Sequence, residues 1–102
     1  MLVKFYGIEP SDKQDKKYKA RFVLIDFKNN KIKNYSIYFG DSKYEDYTLH
    51  HDEKRKSNYI KRHIKNENWN DPLSAGTLSR YILWNKKTIK DSILDYKKRF
   101  GF

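Results

Sequence analysis

Apolar residues recur at two different periods along the chain, and the change falls near Gly40. Before it, they alternate or cluster in short spans. "LVKFYGI" and "YKARFVLIDF" (Tyr18 to Phe27) are rich in β-branched and aromatic side chains, and "IKNYSIYF" places Tyr35, Ile37 and Phe39 on one face at period two. Asn29 and Asn30 tolerate positive φ, which suits a tight hairpin between the last two spans. The polar "EPSDKQDKK" reads as the loop between the first two. Three antiparallel strands are predicted.

After Gly40 the pattern becomes helical. "DEKRKSNYIKRHIKN" contains neither Gly nor Pro, sets Ile60 and Ile64 one turn apart, and predicts a helix from Asp52 to Asn66 capped by Asp52 or Thr48. Asp71 before Pro72, with Ser74 as a rival cap, starts a short and largely buried helix whose stripe is Leu78, Tyr81 and Ile82, running into Leu83 and Trp84. In the last segment Thr88 caps a helix in which Ile89, Ile93, Tyr96 and Phe100 fall within about 60° at 100° per residue, with Gly101 as its stop. The predicted class is α+β. Residues 1–102 form one domain, with a small N-terminal antiparallel sheet in 1–40 packed by about three helices from 41–102.

The overall balance of side chains narrows the partners. Twenty-three Lys and Arg against thirteen Asp and Glu give a formal charge of +10, and a pI near 9.7 favours an anionic partner, nucleic acid first. Residues 1–40 carry nine basic and four acidic side chains and residues 41–102 carry fourteen and nine, so the excess is spread and not a detachable tail. A lysine-rich solvated surface from an A·T-rich genome accounts for the same composition. The absence of Cys excludes disulfides, thiolate zinc sites and a thiol nucleophile. No apolar stretch approaches the roughly 20 residues of a membrane helix, and no basic leader precedes one, so a soluble, non-secreted protein is expected.

The candidate chemistry lies in the helical part. Lys54, Arg55, Lys56, Lys61, Arg62 and Lys65 crowd one predicted helix, and Arg55, Tyr59, Arg62 and Asn66 share a face suited to phosphates. Tyr59 either stacks on a base or belongs to the core, with Arg55 and Arg62 then paired to Glu45, Asp46 or Glu67. Trp69 is either a core-closing residue in the joint between helices or, beside Arg62 and Lys65, a stacking platform. Lys90, Lys97 and Lys98 add a second basic helix away from its apolar stripe. His50, His51 and His63 stand near Asp52 and Glu53 but match no known metal spacing, which makes His50 a cap or turn residue and His63 a packed imidazole. Asp26 and Lys28 echo an Asp-x-Lys nuclease arrangement that Asp12 or Asp15 would have to complete, the least favoured reading. No catalytic constellation, metal site or cofactor is implied.

Phe39 to Phe100 contains "FG" after a strand, "YEDYTLH", "YIKRH", "NENW", a Pro and "AG" before a Ser, "LWNK", and "SI" before a basic Phe-ended helix. This pattern resembles a family of small proteins of unknown function encoded by nucleocytoplasmic large DNA viruses (giant viruses). The resemblance implies a virus-encoded protein in the cytoplasm or nucleus of an infected cell, packaged in the virion or not, and brings no activity. Thr77 and Tyr81 depart from the family, which often has a bulkier residue and a Trp there. The expected function is sequence-nonspecific binding of DNA or RNA. The alternative is a virion structural or adaptor protein that binds an acidic viral protein.

Overall fold

The computed structural model describes residues 1–102, and its fold is α+β. Strands β1 (Leu2–Pro10), β2 (Lys16–Asp26) and β3 (Lys31–Asp41) form an antiparallel meander in the order β1-β2-β3. Phe5 pairs with Phe22, Phe22 with Tyr35, and Ala20 with both Ile8 and Ile37. Strand alternation therefore puts these residues and Phe39 on one face. The opposite face carries Lys4, Arg21, Ser36, Lys19 and Tyr38. In β1 the register shifts between Phe5 and Gly7, and Gly7 has φ +132°. The extra residue, Tyr6, keeps both Phe5 and Ile8 facing inward, where strict alternation would turn one of them out.

Four helices follow. Helix α1 (Tyr47–His50) is a single turn that the hydrophobic pattern does not predict; the Asp46 carboxylate caps it by accepting from the Thr48 amide at 2.9 Å. Helix α2 (Glu53–His63) starts at the expected Asp52, which accepts from the amides of Lys54 and Arg55, but stops three residues short of Asn66. The next helix does not begin at Asp71. That carboxylate accepts from the Leu73 amide in a turn, and the rival cap Ser74 opens α3 (Ala75–Leu78). Helix α3 runs straight into a π-helical turn, Ser79–Leu83, closed by the Trp84 amide on the Ser79 carbonyl. Helix α4 (Ile89–Phe100) is capped by Thr88 and ends at Gly101, φ +73°, where the Phe102 amide reaches the Lys97 carbonyl at 2.8 Å.

The helices cover only the Phe22 face of the sheet. Ala20, Phe22, Ile37, Phe39, Leu78, Ile82, Leu83 and Tyr96 form the buried core, with Phe5, Phe100 and Phe102 packed around Tyr96. The Tyr96 hydroxyl, deep in apolar surroundings, donates to the Pro72 carbonyl at 2.7 Å, so its polar end is satisfied and burial pushes its pKa up. Thr77 and Tyr81 pack into this scheme. Buried Thr77 donates to the Asn68 carbonyl, and Tyr81 meets Phe100 edge-on beneath the Arg99 guanidinium. No helix is long and apolar enough to cross a membrane.

Candidate nucleic-acid interface

Helix α2 divides its residues between two sides. At about 100° per residue, Arg55, Lys54, Asn58, Lys61 and Arg62 fall within an arc of about 120°, while Tyr59, His63, Lys56 and Ile60 occupy the other side; Lys65 lies in the turn just after the helix. The structure buries that second side. Tyr59 is 7% exposed and its ring lies parallel to Trp84, 4.3 Å away and inclined by 3°, with His63 against its other face at 4.2 Å. Trp84 in turn has His50 beside it, the rings 5.3 Å apart and inclined by 57°. His63, Tyr59 and Trp84 form one column, and neither face of Tyr59 is open to a base. Burial pushes the Tyr59 hydroxyl pKa up, which keeps it neutral.

The first side is exposed and cationic. Lys54, Arg55, Lys61, Arg62 and Lys65 are all solvent-exposed, and none has a carboxylate within 4.0 Å. Of the acids that could have neutralised them, exposed Glu45 pairs with none of them and the other two are engaged elsewhere. Asp46 pairs with Lys17 at 2.7 Å, and Glu67 accepts from Trp69 Nε1 at 2.7 Å and meets His63 Nδ1 at 3.1 Å. Lys56 points the opposite way, donating to the Asn85 carbonyl over the Tyr47 ring, and burial lowers its pKa.

A cleft of about 450 Å³ runs beside this helix, between the Lys16 and Asp41 ends of β2 and β3 and the start of α3. Arg62 and His63 stand on its α2 side, Lys16 and Lys17 on its sheet side, and Asp41, Glu45, Asp46 and Glu67 are also in its walls. Two glycines shape it. A Cβ on Gly76 would lie 3.1 Å from the Glu67 carboxylate, and one on Gly40, φ +83°, would lie 2.7 Å from Leu83 Cδ1. The wall charges are mixed, so the unopposed positive surface is the α2 arc rather than the cleft.

The remaining candidates are scattered. Trp69 is half-buried in the joint, its indole N–H committed to Glu67 and its ring 5.5 Å from the Arg80 guanidinium. Lys90 lies in the first turn of α4, whose preceding loop touches the start of α2 through the Lys87 carbonyl on His51 Nε2. Lys97 and Lys98 sit two turns further on, near the Phe5 and Phe102 end of the core, and do not join the α2 arc. His50 closes α1, and its Nδ1 accepts from the Asp52 amide. The Asp-x-Lys echo is a turn. The Asp26 carboxylate accepts from the Asn29 side chain and from the amides of Lys28 and Asn29, which hold its pKa below the usual range. Asp12 and Asp15 belong to the loop at the other end of β2, roughly 30 Å away.

Sequence reasoning missed the column and the Lys17–Asp46 pair, which join residues 25 and 29 positions apart with no local signal. No curated protein and no solved structure shows a match to the chain. Residues 6–63, which span most of the sheet together with α1 and α2, match a family model described as a family of unknown function (DUF5754). That span is more than half of the sequence, and the chain belongs to this family.

Proposed function

We propose that the protein binds DNA or RNA without sequence preference, with the α2 arc set against the phosphates. The observation that carries this reading is that four cations share one exposed arc of α2, Lys65 follows in the turn beyond it, and none of the five is neutralised by an acid. Arg55 and Arg62 stand two turns apart on its edge, spaced to meet phosphates bidentately, and Lys54, Lys61 and Lys65 add point charges. Because the rings of Tyr59 are enclosed, the contact is electrostatic and does not include stacking at that residue. The resemblance of Phe39 to Phe100 to proteins of nucleocytoplasmic large DNA viruses supports a polymer of an infected cell as the ligand.

Each phosphate contact displaces condensed counterions, so affinity falls with salt at a log–log slope of about 0.9 per contact on duplex DNA and 0.7 on a single strand. Three to five contacts is the expected order of magnitude for the arc. Titration of labelled DNA and RNA at several salt concentrations tests this. Arg55→Ala with Arg62→Ala should lower the slope by about 2 on duplex and weaken all sequences alike. No binding by the wild-type protein at about 50 mM salt would overturn the proposal and favour an acidic protein partner. An unchanged slope in the double variant would move the contact away from α2.

A further inference from the structure

The β2–β3 hairpin reaches past the helical layer. The core face of the sheet is covered at Val3, Phe5 and Phe22, where Phe102 packs against Phe5 and Phe22, but Tyr35 in the same row is already 38% exposed. Beyond that row the strands continue through Leu24, Ile25, Ile32 and Lys33 to a turn at Phe27–Asn30 that nothing overlies. Phe27 and Ile32 are each 74% exposed, and Leu2, paired with Ile25 on the bare face, adds a third open apolar side chain. A largely exposed Phe near a largely exposed Ile at a hairpin end is costly surface that no element of this chain uses.

Lysines surround these side chains. Lys4, Lys28, Lys31 and Lys33 are exposed, and none has a carboxylate within 4.0 Å. The one nearby acid, Asp26, is turned into the hairpin by its three hydrogen bonds to Lys28 and Asn29. The shape is convex, with Leu2, Ile25 and Ile32 in one row on the bare face, Phe27 at the turn, and Lys31 and Lys33 on the other face, so it suits a deformable layer better than a preformed protein groove. Strand β3 is an edge whose outward amides and carbonyls have no partner, which limits any burial in hydrocarbon to a shallow depth.

We propose that the hairpin end is a docking element for an anionic lipid surface, in which Phe27 and Ile32 enter the headgroup and acyl boundary and the four lysines meet the lipid phosphates and carboxylates. Side chains of this kind insert roughly 5–10 Å, and lysines stretch their stems along the apolar layer while their ammonium groups stay at headgroup level. The proposal does not depend on the α2 reading, because α2 packs at the Asp41 end of β3 and the hairpin turn lies at the Lys31 end.

The test is sedimentation with phosphatidylcholine vesicles, with and without phosphatidylserine, together with the emission of an Ile32→Trp variant. Wild-type protein should sediment with the phosphatidylserine vesicles, and the tryptophan at position 32 should shift to shorter wavelength on mixing. Phe27→Ser with Ile32→Ser leaves every charge in place and removes side chains that pack on nothing, so it should fold as before and lose roughly tenfold or more in vesicle affinity. Arg55→Ala with Arg62→Ala should keep the wavelength shift. Absence of wild-type binding at low salt would overturn the proposal. So would equal binding by the double Ser variant, which would mean that vesicles are held by charge alone. A protein captured by wild-type but not by the double Ser variant, without vesicle binding, would assign the hairpin to an acidic protein instead.

Discussion

Replacing Gly40 by Ala tests how tightly β3 is fitted to the π-helical turn. Gly40 has φ +83°, and a Cβ there would stand 2.7 Å from Leu83 Cδ1 and 3.3 Å from Lys17 Cβ. Two costs follow. An L-residue in the left-handed region costs about 1 kcal/mol, and overlap with Leu83, a buried member of the core cluster, adds about 1–3 kcal/mol. The sum is roughly 2–4 kcal/mol. Gly101 supplies the control, because its φ of +73° is likewise positive while a Cβ there meets nothing within 4 Å. Gly101→Ala should therefore cost only about 1 kcal/mol. Urea unfolding of both variants, with a common dependence on denaturant, measures the difference directly. On heating, each kcal/mol corresponds to about 4–8 °C for a chain of this size. If Gly40→Ala destabilises no more than Gly101→Ala, the argument from close approach fails.

Two further outcomes are expected. Lys17→Ala removes the cation paired with the buried Asp46 and should cost about 3 kcal/mol in urea unfolding, since Asp46 then keeps only its α1 capping bonds; a loss below about 1 kcal/mol would show that the pair is not energetically coupled to folding. Burial and the nearby Arg55 charge hold the His50 pKa below its usual value near 6.5, and its Nε2 is shut off from solvent without a partner. The unfolded chain therefore takes up this proton first, and stability that is complete above pH 6.5 is lost as the pH falls towards the folded-state pKa. His50→Gln should flatten the unfolding profile between about pH 7 and 5, and parallel profiles for the two proteins would refute the assignment.

What could be foreseen from the sequence follows the reach of each signal. Tyr35, Ile37 and Phe39 announce a strand because period two is local, and Thr88 and Gly101 mark α4 because caps are written within three residues of a helix end. Helix α1 escapes because four residues show no period, although Asp46 before Thr48 is a cap signal. The π-helical turn escapes because Ser79–Leu83 differs from an α-helix by one hydrogen-bond step that no residue type encodes. At the candidate site the cations of α2 are legible as a cluster. Their freedom from acids is not, since it depends on Asp46 having Lys17 and Glu67 having Trp69 as partners and on Glu45 lying out of reach of the arc. The enclosure of Tyr59 rests likewise on Trp84, 25 residues away.

The sheet's length has an electrostatic consequence. Eleven-residue strands run about 35 Å from the cleft beside α2 to the hairpin turn, in a molecule 47 Å along its longest axis. At physiological ionic strength the screening length is about 8 Å, so the potential of one end is attenuated by more than fiftyfold, through roughly four screening lengths, before it reaches the other. A ligand approaching either end therefore responds to the handful of cations within its own ionic atmosphere. The formal charge of +10 is not a quantity that any single ligand experiences.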